Sequence, residues 1–212
     1  TFKPTLYYMQ SKQKLNLLLM YLFMAISKRC FDILLGSIAL LALFAVLSLV
    51  AIAVKLTSSG NLLYWSQRIG KDNTVFLMPK FRTMRSDTPV VATHLLTNPD
   101  AYLTPVGKFL RTTSLDELPQ LYSILMGHMS FVGPRPALFN QDDLIELRTR
   151  AGVHVLTPGL TGWAQVNGRD ELPIPDKVKL DVAYLQRQSL WFDIRILWLT
   201  FVKVLHRDGV SH

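Results

Sequence analysis

Hydrophobic positions crowd into the first quarter of the chain and thin out afterwards. Between Asp32 and Lys55 no residue carries a formal charge, and positions 33–54 are mostly Leu, Ala, Val and Ile. As a helix these 22 residues rise about 33 Å, against a hydrocarbon core of about 30 Å. The run predicts a membrane-inserted helix; a buried core helix is the competing reading. A shorter apolar stretch at 15–26 predicts an interfacial helix or a leader. It does not read as a cleaved signal.

Beyond residue 57 the period changes. Leu62, Tyr64 and Trp65 predict a short strand, and Val75, Phe76 and Leu77 a second one pairing with it across residues 70–73, giving a small hairpin. Leu118, Leu121, Tyr122 and Leu125 recur at i, i+3, i+4, i+7, an amphipathic helix that Gly127 ends. Ile194, Leu197, Trp198, Phe201 and Leu205 form another stripe, with Arg195 and Lys203 off it. That stripe fits a helix lying in the plane of a membrane surface, or one packed on the core. The expected fold is α+β and mainly helical. It comprises a leader or interfacial segment at 1–27, a membrane-inserted helix at 28–56 and a compact cytosolic domain at 57–212. The last carries the β-hairpin and a C-terminal amphipathic helix.

Charge bears on how the apolar helix sits. Lys28 and Arg29 precede it, while Lys55, Arg68 and Lys71 follow. A spanning helix would leave one basic flank on the wrong side, so the charges favour a re-entrant helix with both flanks cytoplasmic. No proline stands between Pro4 and Pro79 to bend it; Gly36, Ser37 and Ser48 are the soft points. The net charge of +8 calls for an anionic partner: nucleic acid, lipid headgroups or a phosphorylated substrate. The apolar run favours the last two, and no helix-turn-helix, zinc-finger or aromatic RNA-binding pattern supports the first. Cys30, the single cysteine, permits no internal disulfide, and no Cys/His spacing suggests zinc.

The candidate chemistry centres on Asp116 and Glu117, adjacent carboxylates just before a predicted helix. Local reasons for them exist. Asp116 at the N-cap with Pro119 in the first turn is one, and a Ser114/Glu117 capping box is another. Their surroundings add weight to catalysis. Lys80, Arg82, Arg85, Arg111, Arg135 and Arg169 lie beside the carboxylates or in compact Gly- or Pro-containing segments. Arginine's planar fork suits phosphate oxygens, and lysine supplies a point charge. Pro134 and Pro136 fix the backbone on both sides of Arg135. Trp163, Gln165, Asn167 and Arg169 share one loop that suits a base, a sugar or a phosphate, or forms a Trp-anchored turn.

Read in order, these segments resemble the bacterial sugar transferase family, the monotopic phosphoglycosyl transferases acting on polyprenyl phosphates. The motifs are Lys28-Arg29-x-x-Asp32, Gln67-Arg68-Ile69-Gly70, Lys80-Phe81-Arg82-Thr83-Met84, the block from Ser114 to Gln120, and Met129 through Gly133-Pro134-Arg135-Pro136. Pro158 to Gly162, Ala164 to Arg169, then Leu180, Asp181 and Tyr184 follow. The resemblance implies an enzyme at the cytoplasmic face of the bacterial inner membrane. It would move a hexose 1-phosphate from a UDP-sugar to undecaprenyl phosphate, giving UMP and a sugar-diphospho-undecaprenol, as the first membrane step of a surface glycan pathway. Asp116 and Glu117 fall on the family's catalytic pair, which would also hold the Mg²⁺ that its activity needs, and Arg111 and Arg135 fall on its conserved arginines. The mid-membrane proline usual in relatives is replaced here by Leu43-Phe44-Ala45-Val46, and the Tyr before the Lys80 block by Pro79.

An aspartate of ordinary pKa, about 3.9, is ionised at neutral pH, so Asp116 is expected to attack the phosphorus next to the sugar and form a covalent intermediate. A single displacement is the mechanistic rival. A non-catalytic basic membrane adaptor is the alternative function, and it leaves Asp116–Glu117 and the Pro-flanked Arg135 unexplained.

Overall fold

The computed structural model describes residues 3–85, 88, 99–168 and 172–206. Arg169 lies outside them. The leader and the apolar segment form one continuous helix, α1 (Lys3–Thr57). A single stripe of that helix, running from Asp32 through Leu35, Ala39, Leu43, Val46, Leu47, Val50 and Ala51 to Val54, meets the rest of the protein. The spacing is the 3.6-residue repeat of one helical face. The opposite face leaves Leu34, Leu41, Phe44, Leu49 and Leu56 exposed, Leu41 and Leu56 at 80%. The helix is apolar all round, and only one side of it is covered. It contains the one stretch, Leu22–Thr57, long and apolar enough to cross a membrane among the described residues.

Both ends of that stripe are fastened to the same globular body. Lys28 Nζ donates to the carbonyl of Val132 at 2.9 Å and pairs with Asp193. Arg29 donates to the carbonyls of Ile124 and Leu125, in the last turn of a later helix where a cation complements the exposed carbonyls. Asp32 accepts from Ser130 Oγ and the Phe131 amide, each at 3.0 Å. At the far end Val50 and Val54 are buried with Phe81 and Leu110. The sequence placed Lys28 and Arg29 as membrane flanks; the structure makes them half-buried joints, because the carbonyls and carboxylate they meet come from strands and helices more than 90 residues away.

The predicted hairpin is present and longer than its apolar letters suggested. Strands β1 (Leu63–Ile69) and β2 (Val75–Phe81) pair antiparallel, with Leu63 opposite Phe81 and Tyr64 opposite Lys80. Asp72 and Asn73 take positive φ in the turn, which Asx residues tolerate best after glycine. Next come α2 (Gly107–Thr112), α3 (Gln120–Met126), β3 (Ser130–Val132), α4 (Asp142–Arg150), β4 (Gly159–Thr161), α5 (Trp163–Val166), α6 (Ile174–Arg187) and α7 (Leu190–His206). Gly127 ends α3 with φ 87°, as its sequence position predicted. The mainly helical α+β expectation holds.

One pairing had no periodic signal in the sequence: β3 and β4 run parallel, Ser130 against Gly159 and Val132 against Thr161. Glycine permits it. A Cβ on Gly133 would lie 2.3 Å from the Thr157 carbonyl oxygen, and one on Gly159 would lie 2.1 Å from the Gly133 nitrogen. The core under this contact gathers Phe76, Met78, Leu121, Ile124, Met129, Phe131, Tyr184 and Ile196.

Along α7 the predicted stripe divides. Ile194, Trp198 and Phe201 face outward with Trp191, which is 79% exposed. Leu197 instead packs against the core beside buried Phe192 and Ile196. The side chain of Leu205 lies outside the described residues.

Candidate active site

Alternation along β2 sets the first functional side chain. Phe76, Met78 and Lys80 share one face of the strand, and the first two are in the core. Lys80 continues that row to its end, where its ammonium meets Glu117 Oε1 at 2.7 Å. The pair is largely shielded, with side chains 17% and 18% exposed.

Asp116 and Glu117 sit in a 3₁₀ turn, Leu115–Glu117, between α2 and α3. Neither local explanation from the sequence applies. Asp116 is inside the turn and not at its N-cap; Ser114 is the N-cap and makes no side-chain cap bond, and Pro119 precedes α3 without one. Glu117 spends Oε1 on Lys80 and on Arg135 Nη2, 3.3 Å away. Ser114 has φ 55° and ψ 18°, a left-handed conformation that costs a residue with a Cβ about 1 kcal/mol. Strain of this kind two residues before a carboxylate is a mark of functional sites. Asp116 itself is buried, at 8% exposure.

Arg111 comes from the last turn of α2 and donates from Nε to Thr83 Oγ1 at 3.0 Å. Its guanidinium is pulled down in pKa by burial, against the opposing fields of Asp116 and Asp100. Burial also pushes the Glu117 carboxyl up, but Lys80 and Arg135 outweigh burial and hold it well below the usual carboxylate range. Three cations therefore surround the dyad, Lys80 and Arg135 at Glu117 and Arg111 in the field of Asp116.

Arg135 is aimed by a backbone of which five carbonyls accept hydrogen bonds. Those of Val132, Pro134, Arg135, Pro136 and Ala137 accept from Lys28 Nζ, the Gly159 amide, Arg148 Nη1, Arg68 Nη1 and the Ile69 amide respectively. The prolines remove donors from this turn, and the cations supply its restraint.

The remaining sequence candidates separate. The Arg82 guanidinium lies against the turn at Gly60, where an added Cβ would fall 2.5 Å from Nη1. Trp163 packs on Phe192, ring centres 5.1 Å apart, the anchored-turn geometry. Asn167 donates to the Trp163 carbonyl at 2.7 Å and is exposed. Gln165 is buried, and neither atom of its amide has a protein partner. It lies beside Gly162 and Gly133, since a Cβ on Gly162 would meet the Gly133 carbonyl oxygen at 2.1 Å and Gln165 Oε1 at 2.7 Å. A buried amide of this kind is a ready donor and acceptor for a ligand or water.

Among the described residues no group of three or more His, Cys, Asp or Glu side chains forms a complete metal cage. Mg²⁺ at phosphoryl-transfer sites is usually held by one or two carboxylates with substrate phosphates completing its shell. The donor set of Asp116 and Glu117 fits that arrangement, with Glu117 Oε1 also accepting from Lys80 and Arg135.

Thr83, Arg148 and Asp181 were assigned no role from the sequence. Thr83 and Asp181 stood inside recognised motifs, which was the available signal. Arg148, on a polar helix face, gave none.

Residues 23–207 match the family model described as bacterial sugar transferase. The chain is 42% identical over 189 residues to the UDP-glucose:undecaprenyl-phosphate glucose-1-phosphate transferase of Escherichia coli K12, covering 83% of this chain and 39% of that protein. It is 39% identical over 191 residues to the Xanthomonas campestris pv. campestris protein of the same name, covering 86% and 40%. With the exopolysaccharide production protein ExoY of Rhizobium meliloti it shares 38% identity over 200 residues, 86% of this chain and 87% of that one. The chain thus spans about two fifths of the length of the first two relatives.

Proposed function

Because the chain belongs to the bacterial sugar transferase family, we propose that it moves a hexose 1-phosphate from a UDP-sugar to undecaprenyl phosphate and releases UMP. The observation that supports this most directly is the setting of the dyad. Lys80 and Arg135 converge on Glu117 beside Asp116, and Arg111 stands in the field of Asp116. A diphosphate approaching Asp116 meets a cationic rim, which removes the repulsion that would otherwise keep a carboxylate from an anionic phosphorus.

In this reading an Asp116 carboxylate oxygen attacks the phosphorus next to the sugar. An O–P bond forms, the bond from that phosphorus to the bridging oxygen breaks, and UMP leaves with the bridging oxygen and its electron pair. An oxygen of the lipid phosphate then attacks the same phosphorus, the acyl phosphate bond breaks, and the Asp116 carboxylate is regenerated. Glu117 holds Lys80 and Arg135 at their posts. Asp116 and Glu117 would hold Mg²⁺, which would supply further charge neutralisation. Gln165, Asn167 and Arg169 are proposed contacts to the nucleotide sugar, and Lys80, Arg82, Arg111 and Arg135 to its phosphates.

The acceptor's polyprenyl tail stays in the bilayer, so the site belongs at the interface. The outward face of α1 and the Trp191–Trp198 face of α7 are the two apolar surfaces available to seat it. Because both ends of the α1 stripe are tied to one globular body, both basic flanks stay on that body's side. The cytoplasmic face of the inner membrane is the side that supplies UDP-sugars. In this reading an unbroken helix held along one body takes the place of the re-entrant helix and keeps the same-sided topology expected of it.

UMP release from a panel of UDP-sugars, with undecaprenyl phosphate and Mg²⁺, tests the proposal. UDP-glucose heads the panel because two of the relatives are named for it. Release dependent on the lipid acceptor is expected for at least one sugar; silence across the panel would favour the membrane adaptor.

A further inference from the structure

Arg148 is not near the dyad in sequence and was assigned to no step. It projects from the last turn of α4 into the gap between α6 and the loop that carries Arg135. Its Nε and Nη2 donate to Asp181 Oδ2 at 2.9 and 2.7 Å, and its Nη1 donates to the backbone carbonyl of Arg135 at 2.8 Å. Both side chains are sequestered, Arg148 at 12% exposure and Asp181 at 2%. The arrangement uses the guanidinium as a bracket. One edge is fixed by a carboxylate on α6, and the remaining nitrogen fixes the peptide unit from which the Arg135 side chain departs towards Glu117. A buried ion pair joining two helices would be the simpler account, but that account has no use for the third hydrogen bond.

We infer that Arg148, held by Asp181, is a positioning residue for Arg135, setting the direction in which that side chain presents its guanidinium to substrate phosphate. The inference rests on the proposed phosphate-binding role of Arg135. The flanking prolines limit φ at 134 and 136, and Pro136 confines ψ of Arg135 to the extended range, within which the 135–136 peptide plane can still tilt. Arg148 Nη1 pins that plane by its oxygen. Lysine at 148 keeps a charge for Asp181, but a single ammonium on a flexible stem cannot reproduce the planar fork that serves both acceptors.

The test is a double-mutant cycle on the full chain, in nanodiscs containing undecaprenyl phosphate, using the UDP-sugar turned over fastest in the panel above. Arg148→Lys is expected to lower kcat/KM by about tenfold through misplacement of Arg135, with a thermal midpoint close to wild type. Arg135→Ala is expected to lower it further, and Arg135→Ala with Arg148→Lys to match Arg135→Ala alone, because a bracket is useless without the side chain it aims. Losses that multiply in the double variant would overturn the inference. Asp181→Asn, of nearly unchanged shape, provides a second cycle against Arg135→Ala with the same expected lack of additivity. If both Arg148→Lys and Asp181→Asn melt far below wild type, the pair holds the fold and not the loop, and the inference fails. An Arg135→Ala variant as active as wild type, or a silent panel, would instead remove the reading of Arg135 on which it stands.

Discussion

The ammonium of Lys80 lies 2.7 Å from Oε1 of Glu117, joining the end of a core-facing strand row to the carboxylate beside Asp116. Removing that cation leaves Glu117 to Arg135 alone. Lys80→Met is expected to reduce UMP release by about a hundredfold, the usual scale for losing one preorganised charge at a reacting centre, with Lys80→Arg retaining more. A Lys80→Met enzyme as fast as wild type would remove the cationic rim from the mechanism.

Asp116 and Glu117 are expected to separate under single-turnover conditions. With UDP-sugar labelled in the sugar and no lipid acceptor, acid quenching should trap label on wild-type protein and on Glu117→Gln at a reduced rate. Asp116→Asn should trap none, with turnover down at least about 10³-fold, as for other nucleophile or triad losses. Wild-type turnover without any trapped label would support a single displacement.

The pH dependence of stability follows from Glu117. Its folded-state pKa lies below its unfolded value of about 4.3, so the unfolded chain takes up this proton first as pH falls. The stabilisation is present above the unfolded pKa and is lost progressively as pH drops below it. Thermal midpoints of wild type and Glu117→Gln in the same detergent should therefore converge between neutral pH and about pH 3. A gap that stays constant over that range would contradict the depressed value.

Lys28 is expected to matter for folding more than for chemistry. Lys28→Met leaves Asp193, 1% exposed, with Tyr184 as its neutral donor and no cation. Loss of one partner from a buried pair costs about 3 kcal/mol. The measurement is denaturant or thermal unfolding in detergent, and an unchanged midpoint would mean that the α1 joint is carried by Arg29 and Asp32 alone.

The membrane face of α7 can be read with its own tryptophans. In nanodiscs of brominated lipid, a variant retaining only Trp198 should be strongly quenched, and one retaining only Trp163, which packs on Phe192, should not. Equal quenching of the two would place the bilayer elsewhere.

Much of the fold was legible because it is local. The 22-residue uncharged run, the hairpin letters around 62–77 and the Leu118–Leu125 repeat each depend on nearest-neighbour periodicity, which survives in a single sequence. The Leu197 position in the α7 stripe was not separable from its exposed neighbours, since a helix that is wet or lipid-facing on one side and packed on the other shows apolar residues on both. The β3–β4 pair was invisible because three-residue strands carry no period, and only the glycines at 133 and 159 hinted at close backbone approach.

The sequence by itself determined the chemistry available to this protein: an Asp116–Glu117 pair, an arginine locked between prolines, a membrane-length apolar helix and an ordered set of motifs. It left open whether the dyad was a helix cap, because capping and catalysis draw on the same residue types at the same spacing. Only the tertiary structure decided that, by placing Lys80 from β2 and Arg135 from the loop after β3 on the same Glu117 oxygen. It likewise turned Lys28 and Arg29 from flanking charges into joints, and gave Arg148, for which the sequence offered no role, its place as the bracket of Arg135. In each case the partner is distant in the chain, and a charge has no assigned role until folding brings its counter-charge or carbonyl within hydrogen-bond reach.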